Sequence, residues 1–306
     1  MDQGYFRQFL QELIYFYTGI SNKVIKLLLI GGSGFLGSHF NRLFQSKYHI
    51  HNIIHQGTIE GIDKYTRLNL TEFEIDIDFQ PDFVCYFAAI SNPNTCEVNF
   101  QLSFNVNVLA AIKWANYAHN LNIPFLYTST DLVFDGKKGN YSEFSQTNPL
   151  NVYGKHKLTF EQYALSHLPN CIIARLPLLA GNSINGRDSF IGPMLNALKL
   201  GNLVSVFTDE YRSVANVNDI CLGISNLLKS KFRGIIHLPG PQRLSRFEIG
   251  VQLCDKFNLD TSLLNPCLQL SIQMPAARPS DCSMISQKGN ELNWSPKDFK
   301  ASLGDY

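Results

Sequence analysis

The chain has 306 residues, 45% of them hydrophobic and 17% charged, which supplies a large buried core and allows one large domain or two. Its 26 lysines and arginines balance 25 aspartates and glutamates, so net charge gives no reason to expect nucleic acid or a membrane surface as partner. Seven cysteines (Cys85, Cys96, Cys171, Cys221, Cys254, Cys267 and Cys282) are odd in number and form no CxxC, the usage of a reducing compartment with cysteine as a small core residue.

Residues 1–23 precede the first clear strand. Leu10, Leu13, Ile14, Tyr15 and Phe16 make an apolar helical cluster there. The run is far short of the ~20 residues of a membrane span. It has no basic start and no small-residue cleavage site, so it reads poorly as a signal peptide. The expectation is an extra helix on the domain or a partner, or an extension without a role, in a cytoplasmic protein.

From Val24 onward short apolar runs alternate with longer helical stretches. Val24 to Ile30 (VIKLLLI) is a buried-strand run, and a helix follows over Phe35 to Gln45. His49 to Ile54 reads as a second strand and Tyr65 to Leu70 as a weaker third. Phe83 to Ala88 is another buried strand, followed by a long amphipathic helix over Phe104 to Asn120. Pro124 to Thr128 is a strand, Tyr153 to Ser166 a helix and Cys171 to Leu176 a strand. This rhythm predicts an α/β protein of the Rossmann type, a doubly wound parallel sheet covered on both faces. After about Pro177 loops lengthen and strands shorten (Leu203 to Phe207, Gly234 to Leu238). The predicted division is an extension over 1–23, a dinucleotide-binding domain over 24–176, and a smaller α/β substrate domain over 177–306 with segments returning to the main sheet.

The first strand runs into Gly31-Gly-Ser33-Gly34-Phe35-Leu36-Gly37, a glycine triplet spaced GxxGxxG. A tight strand-to-helix turn tolerates positive φ only at glycine. The backbone must also approach a pyrophosphate at the positive end of a helix. Following a strand and opening a helix is the context that makes the triplet informative. Gly31, Ser33, Gly34, Phe35, Leu36 and Gly37 are therefore expected on a dinucleotide cofactor. The second strand ends at Ile54-His55-Gln56, with neither the acidic residue that grips the NAD ribose nor an arginine for the NADP phosphate. His55 can approach a phosphate, which tilts the choice between NAD and NADP slightly toward NADP. His49, His51 and His55 share a strand face by parity. No carboxylate or cysteine completes a metal site with them, and no metal is expected.

Tyr153 and Lys157 in NVYGKHK are spaced i, i+4 on one helix face. A free tyrosine titrates near ~10, too high for efficient proton donation, and a lysine ammonium one turn away is expected to lower it. Upstream, PFLYTST is a buried strand ending in hydroxyls, with Thr130 23 residues before Tyr153.

Together these residues resemble the extended short-chain dehydrogenase/reductase family. The stretch STDLVFDGKKGNYSEFSQTNPLNVYGKHKLTFEQ (Ser129 to Gln162) is similar to the dTDP-4-dehydrorhamnose reductase group, which carries STDYVFDG and then PLNVYGKSK. The resemblance spans roughly Val24 to Leu303. It implies that Tyr153 and Lys157 are a catalytic pair, and that Lys157 also bonds the nicotinamide ribose. Thr130, with Ser129 as the neighbouring candidate, would bond the substrate carbonyl. Asn105 in FNVNVLAA would be the structural active-site asparagine.

One departure sharpens the chemistry. Sugar-nucleotide dehydratases carry TDE, whereas Thr130-Asp131 is followed here by Leu132, which cannot act as an acid or base. Carbonyl reduction is favoured over dehydration. Asp131 is either a turn cap or a catalytic support.

A nucleotide-sugar diphosphate needs cations, and arginine's planar fork suits phosphate oxygens. Arg212 (DEYRSVANVND) and Arg278 (ARPSD) resemble the family's diphosphate-binding segments; the alternative for each is a surface salt bridge. Arg187, in NSINGRDS, is a weaker third candidate. Loops at strand ends line the ligand crevice. Ala88 and Ala89 are expected on the cofactor; Ser91 and Asn92 touch ligand or merely cap the next helix. The loop from Asp135 to Pro149 is a lid or a plain connection. The predicted function is NAD(P)H-dependent reduction of a nucleoside-diphosphate 4-keto-6-deoxysugar. The alternatives are an epimerase of the same family, or a non-catalytic regulatory subunit similar to that of methionine adenosyltransferase. A homodimer is left open.

Overall fold

The computed structural model describes residues 24–305 except 63, 73, 185 and 187; the helix read in residues 1–23 lies outside the described residues. Six strands form in chain order: β1 (Lys26–Ile30), β2 (His49–Ile54), β3 (Tyr65–Arg67), β4 (Phe83–Tyr86), β5 (Phe125–Thr130) and β6 (Cys171–Leu176). A seventh, Gly234–His237, joins them from the later half of the chain. The sheet order is Gly234–His237, β6, β5, β4, β1, β2, β3, every pair parallel. Chain order reverses between β1 and β4. At such a switch point the loops leave toward opposite faces and open a crevice at the carboxyl ends of the strands.

The strand-face period of two builds both core layers. Leu27 and Leu29 of β1 face Phe40, Phe44, Ile220 and Ile224 on the helices Phe35–Phe44 and Val217–Lys229. Leu28 and Ile30 face Trp114, Tyr127, Phe160 and Ile173, with the helices Ala111–Asn120 and Val152–His167 covering that side. A parallel sheet wrapped on both faces leaves its central strands almost no exposed positions, and all six residues of β5 and of β6 are buried. The later half adds small two-stranded pairings, among them Leu244–Ser245 against Tyr211–Arg212 and Leu264–Cys267 beside Val204–Phe207.

Two expectations change. The single helix predicted over Phe104 to Asn120 is a composite: Phe100–Phe104 is α-helical, Asn105–Ala110 is a π-helical turn, and Ala111–Asn120 resumes the α-helix. The wider turn rotates the following side chains relative to a continuous α-helix. The loop from Asp135 to Pro149 is no lid. None of its residues lines the main cavity. It is tied to the C-terminal segment by Tyr141 N to Ser283 O (2.9 Å), Ile285 N to Tyr141 O (2.9 Å) and the Glu143 carboxylate, which accepts from His237 N and Ser286 Oγ.

Phe160 is fully buried and stacks on Tyr127 with ring centroids 3.9 Å apart. Phe160→Ala removes that contact beneath the helix carrying Tyr153. It is expected to destabilise the protein by about 3–5 kcal/mol, read as a lowered midpoint in denaturant.

Candidate active site

The turn after β1 depends on glycine. Gly31 has φ +94°, and a Cβ there would lie 2.5 Å from Ala88 N. A Cβ on Gly37 would strike Gly31 O and the backbone of Gly32. Gly37 does not line the cavity; its part is to let the helix Phe35–Phe44 sit down on the turn. That helix has Gly34 as N-cap with no side-chain cap, which leaves first-turn N–H groups for an anion. Behind the turn, buried Asn41 and Asn52 bond each other (2.9 and 3.1 Å), and Asn41 Nδ2 also donates to Gly37 O at 3.0 Å. Ser33 Oγ donates to Gln56 O at 2.8 Å, fixing the loop that carries His55.

A cavity of about 910 Å³ lies over the switch point. Gly31, Ser33, Gly34, Phe35, Leu36 and His55 line one end, Ala88, Ala89 and Ser91 the β4 loop, and Thr130, Tyr153 and Lys157 the β5 end. This volume, the glycine turn and the uncapped helix start fit a dinucleotide. Asn92 does not reach the cavity: its Oδ1 accepts from Asn94 N and Thr95 N and caps the helix Pro93–Val98. His51 Nε2 bonds Thr66 Oγ1 at 2.9 Å, and the His49 and His51 rings lie against Phe79. Arg187 lies outside the described residues.

Asn151 starts the helix Val152–His167 by accepting from Gly154 N at 2.9 Å, which sets Tyr153 and Lys157 in its first turns. Tyr153, Lys157 and Thr130 are all buried. Lys157 Nζ donates to Thr128 O at 2.8 Å and lies 4.4 Å from the Tyr127 ring centroid and 5.8 Å from that of Tyr153. The expected lowering of the tyrosine is not what this geometry gives. Burial pushes the Tyr153 phenol up, Asp131 adds to the rise, and the hydrogen bond with Thr130 only partly opposes it. Burial in turn pulls the Lys157 ammonium down to about 7. Desolvation is the largest cause for both groups.

Asn105 is placed on the outer side, where its Oδ1 accepts from Gln101 Nε2 at 2.8 Å. The π turn instead brings fully buried Asn107 to the site: its Oδ1 accepts from Ile90 N (2.9 Å) and its Nδ2 donates to Ile90 O (3.0 Å). Asn107 thus acts as a backbone substitute that fixes the β4 loop. A helical period of 3.6 gave no sign of the extra residue. Ser129 also lines the cavity, but its Oγ donates to Glu161 Oε1 at 2.5 Å.

At the far end of the cavity stand Arg212, Arg246 and Arg278 with Glu210 and Asp131. Arg212 is buried and already occupied. Its NH1 donates to Tyr211 O and Pro279 O, its Nε lies 3.6 Å from Asp131 Oδ2, and its NH2 lies 3.3 Å from Glu210. Arg246 pairs with Glu210 at 2.8 Å, and Arg278 NH2 donates to Asn94 Oδ1 at 3.3 Å. Burial alone would raise Glu210, yet Arg246 and Arg212 hold it below the usual carboxylate range. Burial raises Asp131 despite Arg212, and Thr130 Oγ1 donates to Asp131 Oδ1 at 3.1 Å. Glu210, Arg246 and Asn107 were not among the residues read from sequence. Glu210 stands two residues before Arg212, and Arg246 opens a helix after the capping box Ser245–Glu248, so that much signal was present. Among the described residues no group of three or more His, Cys, Asp or Glu side chains is arranged to hold a metal, and no helix is long and apolar enough to cross a membrane.

The parallel sheet, the glycine turn and the crevice define a Rossmann-type protein with a dinucleotide site. Residues 25–306 match the family described as RmlD substrate binding domain, and the chain belongs to that family. This bears out the resemblance carried by Ser129 to Gln162. Methionine adenosyltransferase 2 subunit beta of Rattus norvegicus is 28% identical over 279 residues, 86% of this chain and 82% of that protein. The Haloferax volcanii protein named probable low-salt glycan biosynthesis reductase Agl14 is 27% identical over 254 residues, 82% of each chain. A hypothetical dTDP-4-dehydrorhamnose reductase from Sulfolobus tokodaii has a solved structure with TM-score 0.75 and 29% identity, covering 87% of this chain and 94% of its own. The dTDP-4-dehydrorhamnose reductase of Bacillus anthracis, solved in complex with NADP, shares the fold at TM-score 0.81 and 21% identity, over 92% of this chain and 98% of its own.

Lys157 gives the site a pH signature. Its ammonium falls from the ordinary ~10.4 to about 7 in the fold. Between those values the unfolded chain keeps a proton that the native state has released, so this group makes stability rise with pH across that window. Lys157→Met is expected to melt above wild type at about pH 6, with the gap closing toward about pH 10. A gap constant with pH in thermal scans would exclude a buried charge.

Proposed function

We propose that the protein is an NAD(P)H-dependent reductase of a nucleoside-diphosphate 4-keto-6-deoxysugar. The observation that carries this reading is that Thr130, Tyr153 and Lys157 line the same cavity as the Gly31 turn and the arginine cluster. Gly31, Ser33, Gly34 and the start of the helix Phe35–Phe44 would hold the pyrophosphate, with Ala88 and Ala89 beside the cofactor and His55 near the adenosine ribose, which favours NADP. The reduced nicotinamide supplies the hydride when bound.

The remaining chemistry belongs to the chain. Thr130 orients the substrate carbonyl oxygen, and Tyr153 donates its phenolic proton to it. The high proton affinity of buried Tyr153 keeps the phenol protonated before reaction. Lys157, anchored by one N–H to Thr128 O, has its others for the ribose and the tyrosinate left behind. Leu132, beside Asp131, offers no group for elimination, so reduction is the outcome. Arg246 and Arg278 are the arginines for the diphosphate, because both are less buried than Arg212, which is enclosed by Asp131, Glu210 and two backbone carbonyls. Ser91 borders the substrate end. All seven cysteines are free, which suits a cytoplasmic enzyme.

A second reading has one observation behind it. The similarity to methionine adenosyltransferase 2 subunit beta raises a non-catalytic regulatory subunit of a partner enzyme. Stoichiometric co-purification with such an enzyme, and no keto-sugar reduction, would establish it over the first.

Tyr153→Phe is expected to lower NADPH consumption with a nucleoside-diphosphate keto-sugar at least ~100-fold while leaving NADPH affinity nearly unchanged. Equal loss of both would make Tyr153 structural. Arg246→Ala and Arg278→Ala should each raise KM roughly 10-fold or more with kcat largely kept, the cost of one charge-assisted anion contact; Arg212→Ala should instead lower stability.

A further inference from the structure

Beneath the Tyr153–Lys157 pair lies a charged network that the proposed reaction does not use. Glu161 sits one turn beyond Lys157 on the same helix and is 1% exposed. Its Oε1 accepts from Ser129 Oγ at 2.5 Å and from Arg175 Nε at 3.0 Å, and its Oε2 accepts from Arg175 NH2 at 2.6 Å. Arg175, on β6, is 3% exposed and continues the chain: its NH1 meets His237 Nε2 at 3.3 Å. His237 Nδ1 lies 3.0 Å from Ile285 O, so the strand Gly234–His237 and the C-terminal segment are attached as well.

Stability does not account for such a pair. Two ions moved into a dry interior lose as much solvation as they regain by attraction, and apolar residues of similar size commonly serve as well. The location of the pair is informative. Ser129 precedes Thr130 on β5, and Glu161 follows Lys157 on the helix, so one carboxylate bonds both carriers of the reacting groups. It is also the anion in the set around Lys157. That set comprises Tyr153 and Glu161 on its own helix, Tyr127 and the Thr128 carbonyl on β5, and Cys96 on the helix Pro93–Val98. Burial raises the Cys96 thiol, which therefore stays neutral. Glu161 opposes the loss of the Lys157 proton that burial favours.

We propose that the Glu161–Arg175 pair is a positioning device for the Tyr153–Lys157 dyad: through Ser129 it fixes the strand of Thr130 against the helix of Tyr153, and its carboxylate is the counter-charge one helical turn beyond Lys157. Calling the dyad catalytic rests on the reductase reading; the effect on Lys157 does not.

The test uses the full chain with ε-13C-labelled lysine, the Lys157 resonance being assigned with Lys157→Met. Glu161→Gln leaves Arg175 unpaired and is expected to lower the melting temperature. The double variant Glu161→Leu/Arg175→Met removes both charges and is expected to melt near wild type. In either variant that folds, the Lys157 titration midpoint should fall by about one pH unit or more, the scale of one nearby carboxylate at partial burial. Glu161→Asp, which retains the charge, should return most of that shift. NADPH affinity at about pH 8 should drop roughly 10-fold in the double variant, as one pH unit of lost protonation requires. A double variant that melts like wild type and titrates at the wild-type pH overturns the proposal and leaves the pair a packing element. Failure of the wild type to bind NADPH would instead overturn the reductase reading, with the titration result still standing.

Discussion

Gly31 and Ala88 meet backbone to backbone, and the crevice takes its shape from that contact. β1 and β4 are neighbours in the sheet, and Phe87 N and Ala88 N both donate to Ile30 O (2.8 and 3.0 Å) as the two strands end. Any side chain at Gly31 would push these strand ends apart. With them together, the helix Phe35–Phe44 starts at the carboxyl ends of the strands with free N–H groups, and the β4 loop turns outward toward Asn107. Thr130 and Tyr153 then face a space whose opposite wall is already set.

The two ends of that space use different physics. Near the glycine turn the wall offers backbone N–H groups and one uncapped helix start. At the other end three arginines share two carboxylates, leaving a modest positive excess in a partly dry setting. Arg212 is the most deeply enclosed of the three, and Arg246 and Arg278 are less buried. Between the ends, Tyr153 and Lys157 sit where desolvation dominates their proton affinities.

The sheet was legible because each buried strand is a compact apolar run. β2 and β6 lie within the predicted bounds to the residue, and Gly234–His237 joins the sheet from the later half of the chain. The glycine turn and the Tyr153–Lys157 spacing were legible because local geometry dictates residue type there. Asn107 was not, since a π turn has no apolar period of its own and shifts the inward position by two residues. Arg246 and Glu210 were hidden for another reason. Their meaning comes from pairing across β-bridged segments far apart in the chain, which no local pattern encodes. Asn92 shows the opposite case, a residue in the right loop whose side chain is consumed by helix capping.

The strand Gly234–His237 has a consequence for how the chain is made. β6 is buried along its whole length, and its outer edge pairs with this late strand. A nascent polypeptide that has emerged only as far as Leu176 therefore holds an open, mostly apolar strand edge with unpaired backbone groups, the template on which chains associate wrongly. Completion of the sheet must wait for some sixty further residues to leave the ribosome, at ~5–20 residues per second a gap of several seconds. Biosynthesis, more than the finished fold, is where this molecule is exposed to aggregation.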